Sequence, residues 1–548
     1  MLPKQSESDR SAPCPPIPHD LKLAVELMRA AVRRPVSMAN LAQRCGVAER
    51  TLSKHFRAFF GTSPMRYLRQ LRLAAARDVL LSGDPDISVT EVAKRFEFNH
   101  FGRFADQYRR QFGESPSTTL RRGRAAAQSG RGMVLGYQTA ARRGDGQVNR
   151  APIHSRGRPS IAILPCRTSA TEPGLLWVAE SVVESIAVAL SSIRSLSVVV
   201  PRSLRSAQRN PQGLARELNA RYFLTGKIMH AGSRLRAILC VVDSATGVHV
   251  WGDCFDGVRD QPLDLQDRIA EGVTTVIAQR IRDSEIDHAR RARPQSLGAH
   301  GLAMRALPLV FASQPEATRR ALELLRRAIE FDPDYCLATA LAAWCHGQLV
   351  MYNGTAAPAE EKSQAMRLAQ RAAIFEDDDP LVLASRSAVH TMAGQFNVAE
   401  ALVMRSLALE PSFGWAWGRS GWLHAYKGNS ETAIQHFRHA LSFSTNRASR
   451  ANIFVGLGSA YFNVGRYDAA VHWLQEALLE TPDLWWANRS LSVSQARLGN
   501  RLKALESLNT LRQNCPDLTV DRVVKAVPFG RGFLERLGNG LSELGLPP

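Results

Sequence analysis

Of the residue types able to do chemistry, arginine and lysine are the ones this chain spreads unevenly. Its 548 residues hold 70 Lys and Arg against 50 Asp and Glu, a formal net charge of +20. Residues 1–18 are neutral, 19–125 carry 20 basic and 10 acidic side chains, and 126–158 carry 6 and 1. The first 158 residues thus hold 15 of the 20 excess positive charges. A basic block at one end of a nearly balanced chain is suited to holding a polyanion at that end. Other candidates are weaker. Glu180 and Glu184 share a face of an expected helix, as paired acid and base carboxylates would, but no nucleophile or ligand set accompanies them and a solvated edge explains them. Glu376-Asp-Asp-Asp379, beside Pro380, reads as a solvated loop. Cys14, Cys45, Cys166, Cys240, Cys254, Cys336, Cys345 and Cys515 form no CxxC pair and read as buried free thiols rather than zinc ligands or disulfides. No phosphate-cradling Gly-rich loop with Lys, HExxH, GxSxG or kinase catalytic loop occurs, so an enzyme is disfavoured and no metal or cofactor is expected.

The elements that must position the basic residues follow from local pattern. Over 37–60 the chain reads as helix, tight turn, helix: Ser37 is an N-cap, Leu41 and Ala42 begin an apolar face, Gly46 supplies the turn, and Leu52 and Phe56 resume the face. The pattern recurs. Val92-Ala93 follows Leu41-Ala42 by 51 residues, and Leu52, Phe56 and Phe60-Gly61-x-Ser63-Pro64 return 52 residues later as Phe104, Tyr108 and Phe112-Gly113-x-Ser115-Pro116. Between the copies, Ser63 caps and Pro64 starts a helix with Met65, Leu68, Leu71, Ala75 and Val79 on one face, able to run to Gly83. Such a connector is about 28 Å long and suits two recognition helices set about 34 Å, one DNA turn, apart.

Over residues 20–124 the sequence resembles the AraC family of transcription regulators, through Leu41-Ala42, Gly46-Val47, Leu52, Phe56, Gly61-x-Ser63-Pro64, Arg72-Leu73-x-x-Ala76-Arg77 and Phe112-Gly113-Glu114-Ser115-Pro116. The resemblance implies base contacts from Arg50, Ser53 and Lys54 in the first unit and from His100, Gly102 and Arg103 in the second. It leaves Arg57, Arg109 and Arg110 for phosphate. Two positions depart from the family. Ala48 replaces the Ser that usually caps the first recognition helix, and Glu97 replaces the turn glycine of the second unit, where a positive φ would be strained.

Residues 126–158 are rich in Gly, Ala, Ser, Arg and Gln and read as a flexible basic linker. Over 159–290 the expected order is β-α-β-α-β-β-β-α: a strand at Ile161–Leu164, a helix at 176–193, a strand at Leu196–Val200, a helix at Leu214–Asn219, strands at Tyr222–Ile228, Leu235–Val242 and Val248–Trp251, and a helix at 264–283. Ser160–Pro165, Leu218–Gly226 and Asp243-x-x-Thr246-Gly247-x-x-x-Trp251 followed by Leu265-Gln266-Asp267 resemble the TolB amino-terminal-like domain, with Cys166 in place of a usual Phe.

After Pro294 the chain turns helical and periodic. Ser406–Pro411, Ala440–Thr445, Ala477–Pro482 and Leu511–Pro516 recur at intervals of 34, 37 and 34, with Ala328–Pro333 as an earlier copy. That period and the frame of small and aromatic residues resemble tetratricopeptide repeats, which implies about six helix pairs in a solenoid over 297–520. Trp415, Trp417, Trp422, Trp473, Trp485 and Trp486 read as packing between its helices. The fold class is therefore multidomain: an all-α double helix-turn-helix domain over 19–125, the linker, a small α/β domain over 159–290, an all-α solenoid over 297–520 and a tail over 521–548. No run of 18 apolar residues and no signal pattern occurs, so a cytoplasmic protein without membrane contact is expected. The functional reading is a DNA-binding regulator and activator, with double-stranded DNA, RNA polymerase and a protein or peptide on the solenoid as partners. A scaffold with a weakened DNA-binding block and a signalling enzyme are the alternatives.

Overall fold

The computed structural model describes residues 19–124 and 158–548, apart from 61–62, 82–83, 85–86, 113, 122–123, 169–172, 192, 194, 202–210, 260, 375–377 and 445. The linker expected before residue 158, Cys14, and Glu376 and Asp377 lie outside these residues. The chain divides into two units, one built on the N-terminal helices and one on the sheet and the later helices.

The N-terminal unit runs α1 (His19–Ala30), α2 (Met38–Arg44), α3 (Glu49–Phe60), α4 (Pro64–Leu81), α5 (Val89–Arg95) and α6 (Phe101–Phe112), with a further helical turn over 116–121. The long helix α4 serves two cores in succession. Tyr67, Leu68 and Leu71 are buried with Leu21, Val25, Leu41, Leu52 and Phe56, whereas Leu73, Ala76 and Leu80 are buried with Val92, Phe96, Phe104 and Tyr108. The single apolar stripe expected from sequence is thus too narrow, because the buried side of α4 turns along its length to meet each unit.

In the second unit six strands form one mixed sheet: β1 (Ser160–Ile163), β2 (Arg167–Thr168), β3 (Ser197–Val199), β4 (Tyr222–Ala231), β5 (Arg234–Asp243) and β6 (His249–Val258). Their order is β3-β1-β4-β5-β6, with β2 also on β4. The β3, β1 and β4 pairs are parallel, and β4, β5 and β6 form an antiparallel meander. Alternation divides the side chains. Ile161, Ile163, Tyr222, Leu224, Leu235 and Leu239 face the core shared with α7 (Pro173–Ser191) and α9 (Pro262–Arg291), while Ala162, Leu164, Phe223 and Val242 face α8 (Pro211–Glu217). Asp243 Oδ1 accepts from the amides of Ala245 and Thr246, and Gly247 adopts φ +74°, which accounts for the Asp-x-x-Thr-Gly pattern as a turn.

Several sequence readings need adjusting here. Strand β6 continues to Val258, and as an edge strand it alternates exposed polar residues that hid it from an apolar-run criterion. Cys254 lies on that strand and is exposed, not buried; among the other described cysteines Cys240 is partly buried and the rest are buried. Helix α9 has 30 residues rather than ending near 283. Glu180 and Glu184 are exposed on α7, in agreement with a solvated edge. The segment Gly174–Ser191 is long and apolar enough by composition to cross a bilayer, yet Val182, Ile186 and Leu190 pack into the sheet core.

From Ala299 onward helices follow in antiparallel pairs, and residues 521–548 contribute the helix Arg531–Glu543, with Phe533, Leu537 and Leu541 buried on one side. The turn between the two helices of a pair carries a glycine at positive φ: Gly394, Gly428, Gly465 and Gly499. These recur at the intervals of 34, 37 and 34 seen in the sequence. After each, an amide reaches back five residues, as in Gln395 to His390 and Asn429 to His424, the Schellman closure that satisfies the helix's last carbonyls. The two preceding pairs use Ser313 and Asn353 in that left-handed conformation. Lacking glycine there, they read as degenerate repeats.

Candidate nucleic-acid interface

The two helix-turn-helix units share one turn. In the first, Gly46 has φ +69° and the Val47 amide donates to the Ala42 carbonyl; in the second, Glu97 has φ +64° and the Phe98 amide donates to the Ala93 carbonyl. The residue 51 positions after the glycine is thus forced into the same left-handed conformation, which a non-glycine side chain adopts at a cost of about 1–2 kcal/mol. The Glu97 carboxylate has a counterweight. Burial lowers the Arg72 guanidinium from its ordinary value, and Glu97 raises it again in part.

Each first helix is capped. Ser37 Oγ accepts from the Asn40 amide, as expected. Ser88 and Glu91 form a reciprocal capping box on α5, and the two Ser88 hydrogen bonds hold the Glu91 carboxyl below its usual range. The Ser-x-x-Glu spacing is the sequence signature of such a box. The first recognition helix, α3, begins after Ala48, which has no side-chain acceptor to offer; a hydrogen bond between His55 Nδ1 and Asp20 Oδ2 of 2.7 Å fastens it to α1 instead.

Helix α3 presents Arg50, Lys54 and Arg57 exposed, with Ser53 partly buried between them. Their spacing of three and four residues places them on one face, opposite the buried Leu52 and Phe56. On the second unit, Gly102, Arg103, Arg109 and Arg110 are exposed on α6. His100 precedes the helix, its carbonyl accepting from the Phe104 amide. One residue in this face was missed. Asp106, exposed, stands three positions after Arg103 and four before Arg110, so the second face is less cationic than the first. A carboxylate there accepts a hydrogen bond from cytosine N4 and repels phosphate.

The Arg72-to-Arg77 motif is structural. Arg72 donates to the carbonyls of Val32 and Arg34, holding the turn after α1 against α4. The Arg77 guanidinium lies 4.8 Å from the centre of the Phe112 ring and 3.7 Å from Glu114. Tyr108 donates to Thr119, which donates to Glu114, so the end of α6 is tied to the segment behind it. Among the described residues no group of three His, Cys, Asp or Glu side chains is placed to hold a metal.

Two helix-turn-helix units on one connecting helix, each presenting an outward recognition helix, define a duplicated helix-turn-helix domain. A family model for the helix-turn-helix domain matches residues 41–122, and one for the tetratricopeptide repeat matches 451–484. The chain is 43% identical over 110 residues to the probable thc operon regulatory protein of Rhodococcus erythropolis, 20% of this chain and 33% of that protein. It is 40% identical over 97 residues to a XylDLEGF operon transcriptional activator of Pseudomonas putida, 18% of this chain and 62% of that one. A putative adenylate cyclase of Rhizobium meliloti is 23% identical over 232 residues, 42% of this chain and 40% of that protein. The chain therefore spans between a third and about three fifths of these curated relatives. Among solved structures, a probable AraC family transcriptional regulator from Rhodopseudomonas palustris is 34% identical, matching 19% of this chain and 97% of that one with a TM-score of 0.19. Residues 41–122 are an AraC-type helix-turn-helix domain, and the helical C-terminal region contains a tetratricopeptide repeat.

Proposed function

We propose that this protein is a sequence-specific DNA-binding transcription regulator, an activator, acting in the cytoplasm. The observation that carries the reading is the repeated turn, which sets α3 and α6 with their basic residues outward while their apolar faces are buried in separate cores. Relatives named as operon regulators and activators, alike over 110 and 97 residues, agree with it. Arg50, Ser53 and Lys54 read bases in one major groove, His100, Gly102 and Arg103 in the next, and Arg57, Arg109 and Arg110 hold phosphate. RNA polymerase is the partner at the promoter. The sheet, read as a TolB amino-terminal-like domain, and the repeats receive the signal. No catalytic step is assigned: the cyclase-named relative is alike at only 23% identity, over 40% of its length.

Selection of bound fragments from random DNA by the full-length protein, followed by mobility-shift titration at several salt concentrations, tests the reading. Enrichment of one sequence motif is expected, with log affinity falling by about 0.9 per phosphate neutralised for each unit of log salt. A second reading, a scaffold whose DNA-binding block has weakened, is motivated by Glu97 and Asp106; it predicts binding without sequence preference, or none.

A further inference from the structure

Arg419 and Arg489, deep in the repeat region, have no counter-ion among the described residues. Arg419 and Arg489 are 8% and 5% exposed, and among the described residues neither pairs with an Asp or Glu. Arg419 donates to Asn452 Oδ1 at 2.6 Å, and Arg489 to the Met351 carbonyl at 2.9 Å and to Asn353 Oδ1. The Nε–H of each is buried with no acceptor. Burial lowers both guanidiniums, Arg489 to about 10, and no carboxylate is among the groups that offset it. Trp344 and Trp415 ring centres lie 5.3 and 5.4 Å from Arg419, but such contacts replace only part of the lost hydration.

Both arginines line one recess of about 530 Å3, its mouth included, whose walls also hold Tyr352, Trp422, Tyr426, Trp486, Phe529 and Phe533. Tyr352 stacks on Trp486 at 4.5 Å and Phe529 on Phe533 at 3.6 Å. Behind the lining residues, the two turns with a non-glycine residue at positive φ hold these side chains in place. Ser313 accepts from the Trp486 indole through its carbonyl and from Asn452 through its hydroxyl, and Asn353 holds Arg489. An uncompensated buried charge is costly, so a buried guanidinium without a carboxylate partner favours an anion brought within its reach.

We propose that this recess binds a small organic anion, a carboxylate on a planar apolar body, with the carboxylate met by Arg489 and Arg419 and the apolar body set among the aromatic walls. This deepens the reading of the repeats as the signal-receiving part and rests on it only for its consequence, not for the binding itself. The two guanidiniums that line the recess offer charge-assisted donors suited to a carboxylate. A neutral ligand of the same shape would leave both charges unmet.

The test is calorimetric titration of the full-length protein with phenylacetate and with its neutral counterpart phenylacetamide, alongside tryptophan fluorescence and thermal melting. Phenylacetate should bind with one-to-one stoichiometry, quench the tryptophans and raise the melting temperature, and phenylacetamide should bind weaker by about tenfold or more. Arg489→Met should remove the preference for the anion; because that variant can fail to fold, the comparison of the two ligands on the wild-type protein stands as the deciding measurement. Equal affinity for both compounds, or no binding of phenylacetate, overturns the proposal. DNA binding is read separately by mobility shift, so a failure here leaves the regulator reading untouched, and a failure there leaves this site untouched.

Discussion

Lys54 and Arg109 are both exposed cations on recognition helices, yet their substitution should read differently. Lys54→Ala should cost about 1–3 kcal/mol on the selected site and relax the preference at one base pair, whereas Arg109→Ala should weaken all sequences alike and lower the salt slope by about 1. Unchanged affinity and preference for Lys54→Ala would show that the register assigned to α3 is wrong. Glu97→Gly should stabilise the N-terminal unit by roughly 1 kcal/mol, the relief of a left-handed φ less the entropy glycine adds to the unfolded chain and the lost attraction to Arg72. A lower denaturation midpoint would mean that the attraction to Arg72 outweighs the strain. At this scale the turn was legible: Gly46 supplies it in the first unit, and the family resemblance implies a turn glycine where Glu97 stands in the second, a position that does adopt positive φ. Asp106 lies outside the positions 100–103 to which the family resemblance points, and only the helix face shared with Arg103 and Arg110 brings it into the interface. Nor could sequence show that the Glu97 charge acts on Arg72, 25 residues earlier on α4.

Helix order in the N-terminal unit and the repeats followed from apolar period and from glycine and proline signals. The elements misjudged were those whose environment departs from one buried face. Strand β6 is an edge, and Arg531–Glu543 buries the large apolar side chains Phe533, Leu537 and Leu541 at four-residue spacing within a glycine-rich stretch. Tight approach explains the repeat frame. A Cβ on Gly421 would stand 2.6 Å from the Phe437 ring, and Gly456 meets the same ring from the next pair, so small residues at both positions let the aromatic fill the space between helices. The helix Ser430–Phe443 also carries a titrating group. Burial, followed by the neighbouring His424 and His439, lowers His436 from 6.5 to about 4, and its Nδ1 lies 3.0 Å from Ser420 Oγ. The unfolded chain therefore takes up this proton first as pH falls. Stability present above pH 6.5 should decline as pH drops toward about 4, and His436→Gln should flatten that decline in thermal melts. A variant as acid-sensitive as the wild type would exclude His436 as a cause.

In the second unit, sheet and repeats are joined by a buried ion pair. Arg282 of α9 meets Glu410 at 3.0 Å, and the two side chains are 9% and 4% exposed. Glu410→Ala should cost about 3 kcal/mol, the lower end for breaking a buried pair, since Asp379 still acts on the guanidinium. Replacing both partners by Met and Leu should recover most of that loss in urea unfolding; equal losses for single and double variants would show that packing rather than charge is at stake.

The central claim is that one chain enters two successive major grooves through α3 and α6. Hydroxyl-radical footprinting of the full-length protein on its selected site measures this directly. Two protected patches on one side of the duplex, centred about 10–10.5 base pairs apart, are the predicted result. A single patch would show that the unit bearing Glu97 and Asp106 does not engage DNA, and would contradict the account.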